Sequence, residues 1–130
     1  MTFEIETKRK VELVEITSLV AASLSSIRSG VCTVYVPHTT CGIVINESEQ
    51  GLVQDIASFF ASVVPEKNYL HNAVDSNASA HLRAILAGPS KTIPIQNGRL
   101  ALGAWQHIFL VEFDGPKKRT VIVEAASSGL

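Results

Sequence analysis

Four histidines, His38, His71, His81 and His107, carry most of the chemical capacity of this 130-residue chain. His38 sits in Pro37-His38-Thr39-Thr40-Cys41-Gly42, a polar link between two apolar runs. An imidazole beside two hydroxyls can serve as a general acid or base, or donate to an oxyanion. A turn with a purely structural histidine has the same composition. A second group spans Tyr69 to His81 and contains His71, Asp75, Asn77 and His81. Asp75 and Asn77 flank a helix start, where either can cap. His81 falls four residues after Asn77 and four before Ile85, on the edge of the helix face that must be buried. It is either a core histidine with a satisfied partner or a group looking into a pocket.

Three histidines near a carboxylate have the ligand types that borderline divalent metals accept. His38, His71, His81 and Asp75 are therefore the candidate metal set, for Zn²⁺ or Mg²⁺. No HExxH and no paired CxxC supports them. The alternative use is direct, with His38 or His81 as acid/base or as donor to a phosphate. A third segment, Gly98 to Ile108, holds the only tryptophan, Trp105, either a core anchor or a cleft wall. Gln106 alternates to the opposite face of the expected strand, and His107 has no assigned role. Asp55 is a surface charge or a partner for a site histidine. Lys117-Lys118-Arg119 reads as a solvated basic run, in which Arg119, at a strand start, is placed to clamp a phosphate bidentately. No Walker loop, GxGxxG or GxSxG occurs, and Cys32, in mid-strand, has no nucleophile context.

The elements that must position these groups follow from periodicity. Thr2 to Lys8 alternates at period two and reads as a strand running loosely on through Val14. Thr17 can cap a helix that gathers Leu19, Val20, Leu24 and Ile27 and ends at Gly30. Val31 to Val36 is β-branched and aromatic, a central strand stopped by Pro37, and Gly42 to Ile45 is a second short strand. Asn46 or Ser48 suits the cap of a helix with Leu52, Ile56, Phe59, Phe60 and Val63 on one face, ending before Pro65. Asp75-Ser76-Asn77 opens a third helix whose expected buried face is Ala78, Leu82, Ile85 and Leu86, stopped by Gly88-Pro89. Strands Thr92 to Ile95 and Arg99 to Leu102 flank the hairpin signal Asn97-Gly98. Ile108 to Phe113 and Thr120 to Glu124 flank the turn Asp114-Gly115-Pro116-Lys117. Three helices and a late antiparallel set predict a single α+β domain over residues 1–130, with helices on one face of the sheet.

Composition bounds the function. The apolar fraction of 46% and charged fraction of 18% are those of a folded domain. Eleven Lys and Arg against twelve Asp and Glu leave no global field to draw in nucleic acid or anionic membrane. No signal-peptide pattern opens the chain, and no apolar run approaches the roughly 20 residues that cross a bilayer. Cytoplasmic location and free thiols at Cys32 and Cys41 are the expectation.

Taken together, His38-Thr39-Thr40 with Asn46-Glu47, then Asp55, Tyr69, His71, Asn77 and Ala80-His81-Leu82, then Gly98-Arg99, Gly103-Ala104-Trp105-Gln106 and Arg119, resemble the successive motifs of the YjbQ family. The blocks HT[TS]xxxxxNE and G[TA]WQ are specific in combination. This family of small proteins is often described as secondary thiamine-phosphate synthase-type. The resemblance implies a compact α+β fold with a partly closed, mostly antiparallel sheet, a homotrimer, and a site between subunits lined by His38, His71 and His81. It implies transfer of a pyrimidine diphosphate to a thiazole phosphate with release of pyrophosphate. The alternative is a non-catalytic module that binds a metal or a phosphorylated metabolite. The site then comprises His38, His81 and Arg119 as catalytic groups, with Thr39, Thr40, Asn46, Asn77, Trp105, Gln106 and Arg119 against substrate. Ala104 stands where threonine is common, and Cys41 where a small residue is usual.

Overall fold

A computed structural model describes residues 1–129. Its strands are β1 (Thr2–Glu6), β2 (Glu12–Glu15), β3 (Gly30–Tyr35), β4 (Cys41–Asn46), β5 (Ser90–Gln96), β6 (Arg99–Leu100), β7 (His107–Glu112) and β8 (Lys118–Ser127). Its helices are α1 (Thr17–Ala22), α2 (Gln50–Val63) and α3 (Ala78–Ala87), with a 3-10 turn at Leu70–Ala73. The strands divide between two antiparallel sheets, one in the order β1-β8-β3-β5-β6 and one in the order β2-β7-β4. This is the α+β, three-helix, mostly antiparallel architecture that the sequence predicts. The partition into two sheets was not legible from strand patterns.

Two layers of core follow from the partition. Cys32, Val34, Ile93, Ile95, Val121 and Val123 of the larger sheet face Ile43, Ile108 and Leu110 of the smaller, and Ile16, Val20 and Leu24 around α1 close one end. Val111 and Phe113 turn the other way and pack on Phe60 of α2 and on Ala80, Ala84 and Ala87 of α3. Strand β7 is thus covered on both faces, which is why it reads as an unbroken apolar run.

Several local expectations are corrected. Helix α1 ends at Ala22 rather than reaching Gly30, and Thr17 does not cap it; its hydroxyl accepts from the Ile108 N–H at 2.8 Å. Glu49, not Asn46 or Ser48, caps α2, its carboxylate accepting from the Gly51 and Leu52 amides at 2.7 and 2.9 Å. On α2 only Phe60 is fully buried, while Phe59 and Val63 are exposed. Helix α3 buries Ala78 as expected but otherwise turns the opposite face inward: Ala80, Ala84 and Ala87 are buried, and Leu82, Ile85 and Leu86 are exposed. The reason is close approach. A Cβ on Gly42 of β4 would sit 2.8 Å from the Ala87 Cβ, so only an alanine face fits against that strand. Asn97 and Gly98, both at positive φ, make the hairpin turn between β5 and β6 as expected.

The chain passes between the sheets six times, and three of these passages are the five-residue segments 7–11, 36–40 and 113–117. One buried ion pair joins all three. Arg119 is 4% exposed and Glu112 0%. The Arg119 Nε donates to Glu112 Oε1 at 2.8 Å, and its Nη2 bonds both Glu112 Oε2 and the Thr40 hydroxyl. The Thr7 hydroxyl and the Asp114 amide complete the acceptor capacity of Glu112 at 2.8 and 3.1 Å. Burial alone would raise the Glu112 pKa, but these donors outweigh it and hold the carboxyl below its usual range. Removing one partner of such a pair strands the other charge away from water. Glu112→Gln is expected to cost about 3–5 kcal/mol, measured by chemical denaturation; a loss under about 1 kcal/mol would show that the pair does not hold the crossovers.

Candidate functional site

His38 is delivered by the crossover between β3 and β4, where Pro37 ends the strand and the Val36 amide bonds Pro89 O at 2.9 Å. Its Nε2 accepts from the Thr120 N–H at 2.8 Å. That nitrogen therefore carries no proton, and the neutral ring keeps its proton on Nδ1. Burial, and then the Arg119 guanidinium, push the His38 pKa down, with Glu112 acting in the opposite sense.

His81 on α3 opens onto the same cleft. Together with Thr39, Cys41, Ala84, Ile85 and Pro89, the two histidines line a cleft of about 280 Å³. The His81 ring nitrogens make no hydrogen bond within the described residues, so they are available to a ligand. The sequence reading of His81 as a group looking into a pocket is the one realised. Burial pushes the Cys41 thiol up to about 11, so it stays protonated and is no nucleophile. Both cysteines are free.

Behind His81 the 3-10 turn brings in His71, whose ring centroid lies 4.7 Å from that of His81 at 77°, edge to face. His71 Nε2 meets Asn77 Oδ1 at 3.0 Å, and Asn77 Nδ2 donates to Asp114 Oδ2 at 3.0 Å. Asn77 occupies the cap position of α3 but makes no side-chain cap bond there. Asp114 in turn receives Lys10 at 2.7 Å and Lys117 at 3.0 Å.

The remaining site candidates lie elsewhere. Thr40 and Arg119 are buried behind the cleft in the Glu112 network, so Arg119 is not the exposed phosphate clamp the sequence predicts. Trp105 is 72% exposed in the turn before β7 and does not line the cleft, which corrects its reading as core anchor or cleft wall. Gln106 closes that same turn, accepting from the Gly103 N–H at 2.8 Å. Asn46 accepts from the Glu47 N–H at 2.8 Å, and Asp75 is exposed. His107 has a buried Nδ1 with no partner among the described residues. Among those residues no three His, Cys, Asp or Glu side chains converge as a metal-binding group. The set His38, His71, His81 and Asp75 is therefore not brought together around a divalent ion within one chain.

Sequence reasoning missed Glu112, Thr7, Asp114 and the Thr120 amide. One signal was present for Glu112: a carboxylate inside an otherwise apolar strand requires a buried partner.

This fold of two antiparallel sheets with three helices is shared with solved structures of a known family. A family model described as "UPF0047 protein YjbQ-like" matches residues 1–128, and the chain belongs to that family. It is 48% identical to a UPF0047 protein of Archaeoglobus fulgidus, over 96% of this chain and 99% of that one. It is 38% identical to the UPF0047 protein YugU of Bacillus subtilis, over 95% and 96% of the two chains. A crystal structure of a YbjQ-like protein of unknown function from Sulfolobus solfataricus superposes with a TM-score of 0.96 at 39% identity, covering 98% of this chain and 96% of that one. A hypothetical protein from Aeropyrum pernix superposes with a TM-score of 0.94 at 40% identity, covering 98% of each chain. No helix among the described residues is long and apolar enough to cross a membrane.

Since the fold favours neutral His38, the unfolded chain takes up a proton first as pH falls. The stability held by His38 is complete above the ordinary histidine pKa of about 6.5 and is lost as pH drops from there to the folded-state value. An NMR titration is expected to place the His38 midpoint below that of a free histidine. A midpoint above it would contradict the Thr120 bond.

Proposed function

We propose that this chain is an enzyme acting on a phosphorylated small molecule, with His38 and His81 as an acid–base pair. The observation that carries the reading is one cleft lined by two imidazoles, the first fixed by a backbone N–H and the second unbonded. The rest of the lining is apolar apart from the Thr39 hydroxyl, which suits an aromatic or aliphatic ring with an oxyanion at its edge. His38 Nδ1–H and the Thr39 hydroxyl are the donors for that oxyanion, and His81 moves the proton. Within this class, the resemblance to secondary thiamine-phosphate synthase-type proteins favours pyrophosphate release from a pyrimidine diphosphate. Arg119 is already neutralised by Glu112, so the imidazoles would bear the leaving-group charge.

The cleft is shallow in one chain, and its rim is apolar. Leu70 is 96% exposed, Val74 84% and Ile85 76%, all on the elements that carry His71 and His81. An apolar face of this kind beside a half-open site supports completion of the site by further copies in a homotrimer. Its solution mass would be three times 14.0 kDa. Ile85→Glu is expected to yield monomer by light scattering; an unchanged mass would remove this face from any interface.

Calorimetry with inorganic pyrophosphate, together with turnover assays on phosphorylated pyrimidines and thiazoles, tests the function. His81→Asn is expected to lower turnover about 10²-fold or more while the thermal melt is unchanged. Saturable binding with no turnover would favour the non-catalytic module, and absence of both would reject either reading.

A further inference from the structure

The direction of each hydrogen bond behind the cleft determines which nitrogen of His71 is basic. Asp114 lies in the third crossover, where the Gly115 amide bonds Lys10 O at 3.0 Å. A Cβ on Gly115 would fall 2.2 Å from Arg9 O, so the segment needs glycine to come this close. That contact brings Lys10 and Lys117 onto the Asp114 carboxylate at 2.7 and 3.0 Å. Burial alone would raise the Asp114 pKa, but hydrogen bonds from Lys10, Asn77 and Lys117 hold it well below the usual carboxylate range. Asp114 is therefore ionised wherever histidines are neutral, and a carboxylate only accepts.

The rest follows by exclusion. The Asn77 atom facing Asp114 must be the NH₂ group, because a carbonyl there would oppose a carboxylate. The Asn77 carbonyl then faces His71 Nε2 at 3.0 Å. A carbonyl oxygen also only accepts, so His71 Nε2 must hold a proton, and in the neutral ring Nδ1 keeps the lone pair. A separate observation agrees that the Asn77 side chain is committed to this role. At the helix N-terminus it occupies the position whose side chain usually accepts from the second or third helical amide, yet it makes no such bond.

We propose that Asn77 and Asp114 are positioning residues that lock His71 in the Nε2–H tautomer and hold its ring edge-on to His81, leaving Nδ1 as the basic nitrogen of the histidine pair. His38 is locked in the opposite sense, with Nε2 the acceptor and Nδ1 the donor. The site thus has one imidazole fixed as a donor and one fixed as an acceptor, each by a contact from a crossover-end strand or segment. The use of this pair in catalysis rests on the function proposed above. The tautomer assignment does not.

The test reads the ligand-free protein. Two-bond ¹H–¹⁵N correlation spectra at a pH where the histidines are neutral are expected to show His71 with a protonated Nε2 and a bare Nδ1. The ring ¹⁵N shifts report the tautomer without need of the exchanging proton, which suits an exposed ring. In Asn77→Leu, and separately in Asp114→Ala, both shifts should move toward those of the mixed tautomers of a free imidazole while circular dichroism stays native. A wild-type His71 protonated on Nδ1 overturns the proposal, and so does an undiminished Nε2–H tautomer in either folded variant. Should neither variant fold, the wild-type tautomer decides. A locked His71 alongside a His81→Asn variant with full turnover would reject the catalytic reading and leave the lock standing.

Discussion

The ion pair between Arg119 and Glu112 is the constraint on which the rest of this molecule depends. Two small sheets packed face to face have no covalent reason to stay in register, and three of the chain's six passages between them are five-residue crossovers. Thr7 stands in the first crossover, Thr40 in the second, and Glu112 and Arg119 on the strands that bound the third. A single carboxylate–guanidinium contact, with two hydroxyls and an amide filling its remaining valences, ties all three together. Such a pair contributes little net stability relative to apolar residues of similar size. What it fixes is position, because the donors that satisfy Glu112 come from β8 and from two of the crossovers. The same arrangement positions the site: His38 belongs to the second crossover, its partner Thr120 follows Arg119 directly, and Asp114 occupies the third.

The helix layer is governed by distance rather than by hydrophobicity. Gly42 and the alanines of α3 allow helix and strand to come close, and Lys91 seals the junction by donating to Ile43 O and Ala87 O at 2.8 and 2.7 Å. With the small side chains turned inward, the large apolar residues of α3 have nowhere to go but outward. His81 lies between these two faces, at the boundary where the cleft opens. The apolar rim and the position of His81 thus share one cause, namely the close packing of α3 on β4.

Much of this was legible in the sequence, for definite reasons. Strands β3 and β7 announce themselves by β-branched and apolar runs, Asn97-Gly98 by its turn chemistry, and the cleft histidines by their spacing within the family motifs. Periodicity failed where tertiary distance overrode it. It assigned Leu82, Ile85 and Leu86 to the core because they are large, without knowledge that Gly42 would bring the helix too near for them. Composition likewise misled at Arg119: a Lys-Lys-Arg run after a turn is usually solvated, which made Arg119, at the strand start, a candidate phosphate clamp. The partner that buries it, Glu112, is an acidic residue within an apolar strand, and nothing local says which cation it meets. Trp105 was misread for a related reason: a lone tryptophan is usually buried, and the turn that exposes it is made by Gln106 folding back on Gly103.

Charge accounting around the cleft gives these details a functional meaning. Arg119 is neutralised by Glu112, and Asp114 is neutralised by Lys10 and Lys117, so the strong charges nearest the histidines are all spoken for. The cleft itself contains no permanent charge, only Thr39 and two imidazoles among apolar groups. Burial and the Arg119 guanidinium disfavour a proton on His38 Nε2, so that ring can donate from Nδ1 but carries no charge of its own. The His81 ring nitrogens are unbonded among the described residues. The cleft therefore offers one imidazole whose orientation the Thr120 contact fixes and one that can turn either nitrogen inward. In an apolar recess each such polar contact counts strongly, because little solvent screens it.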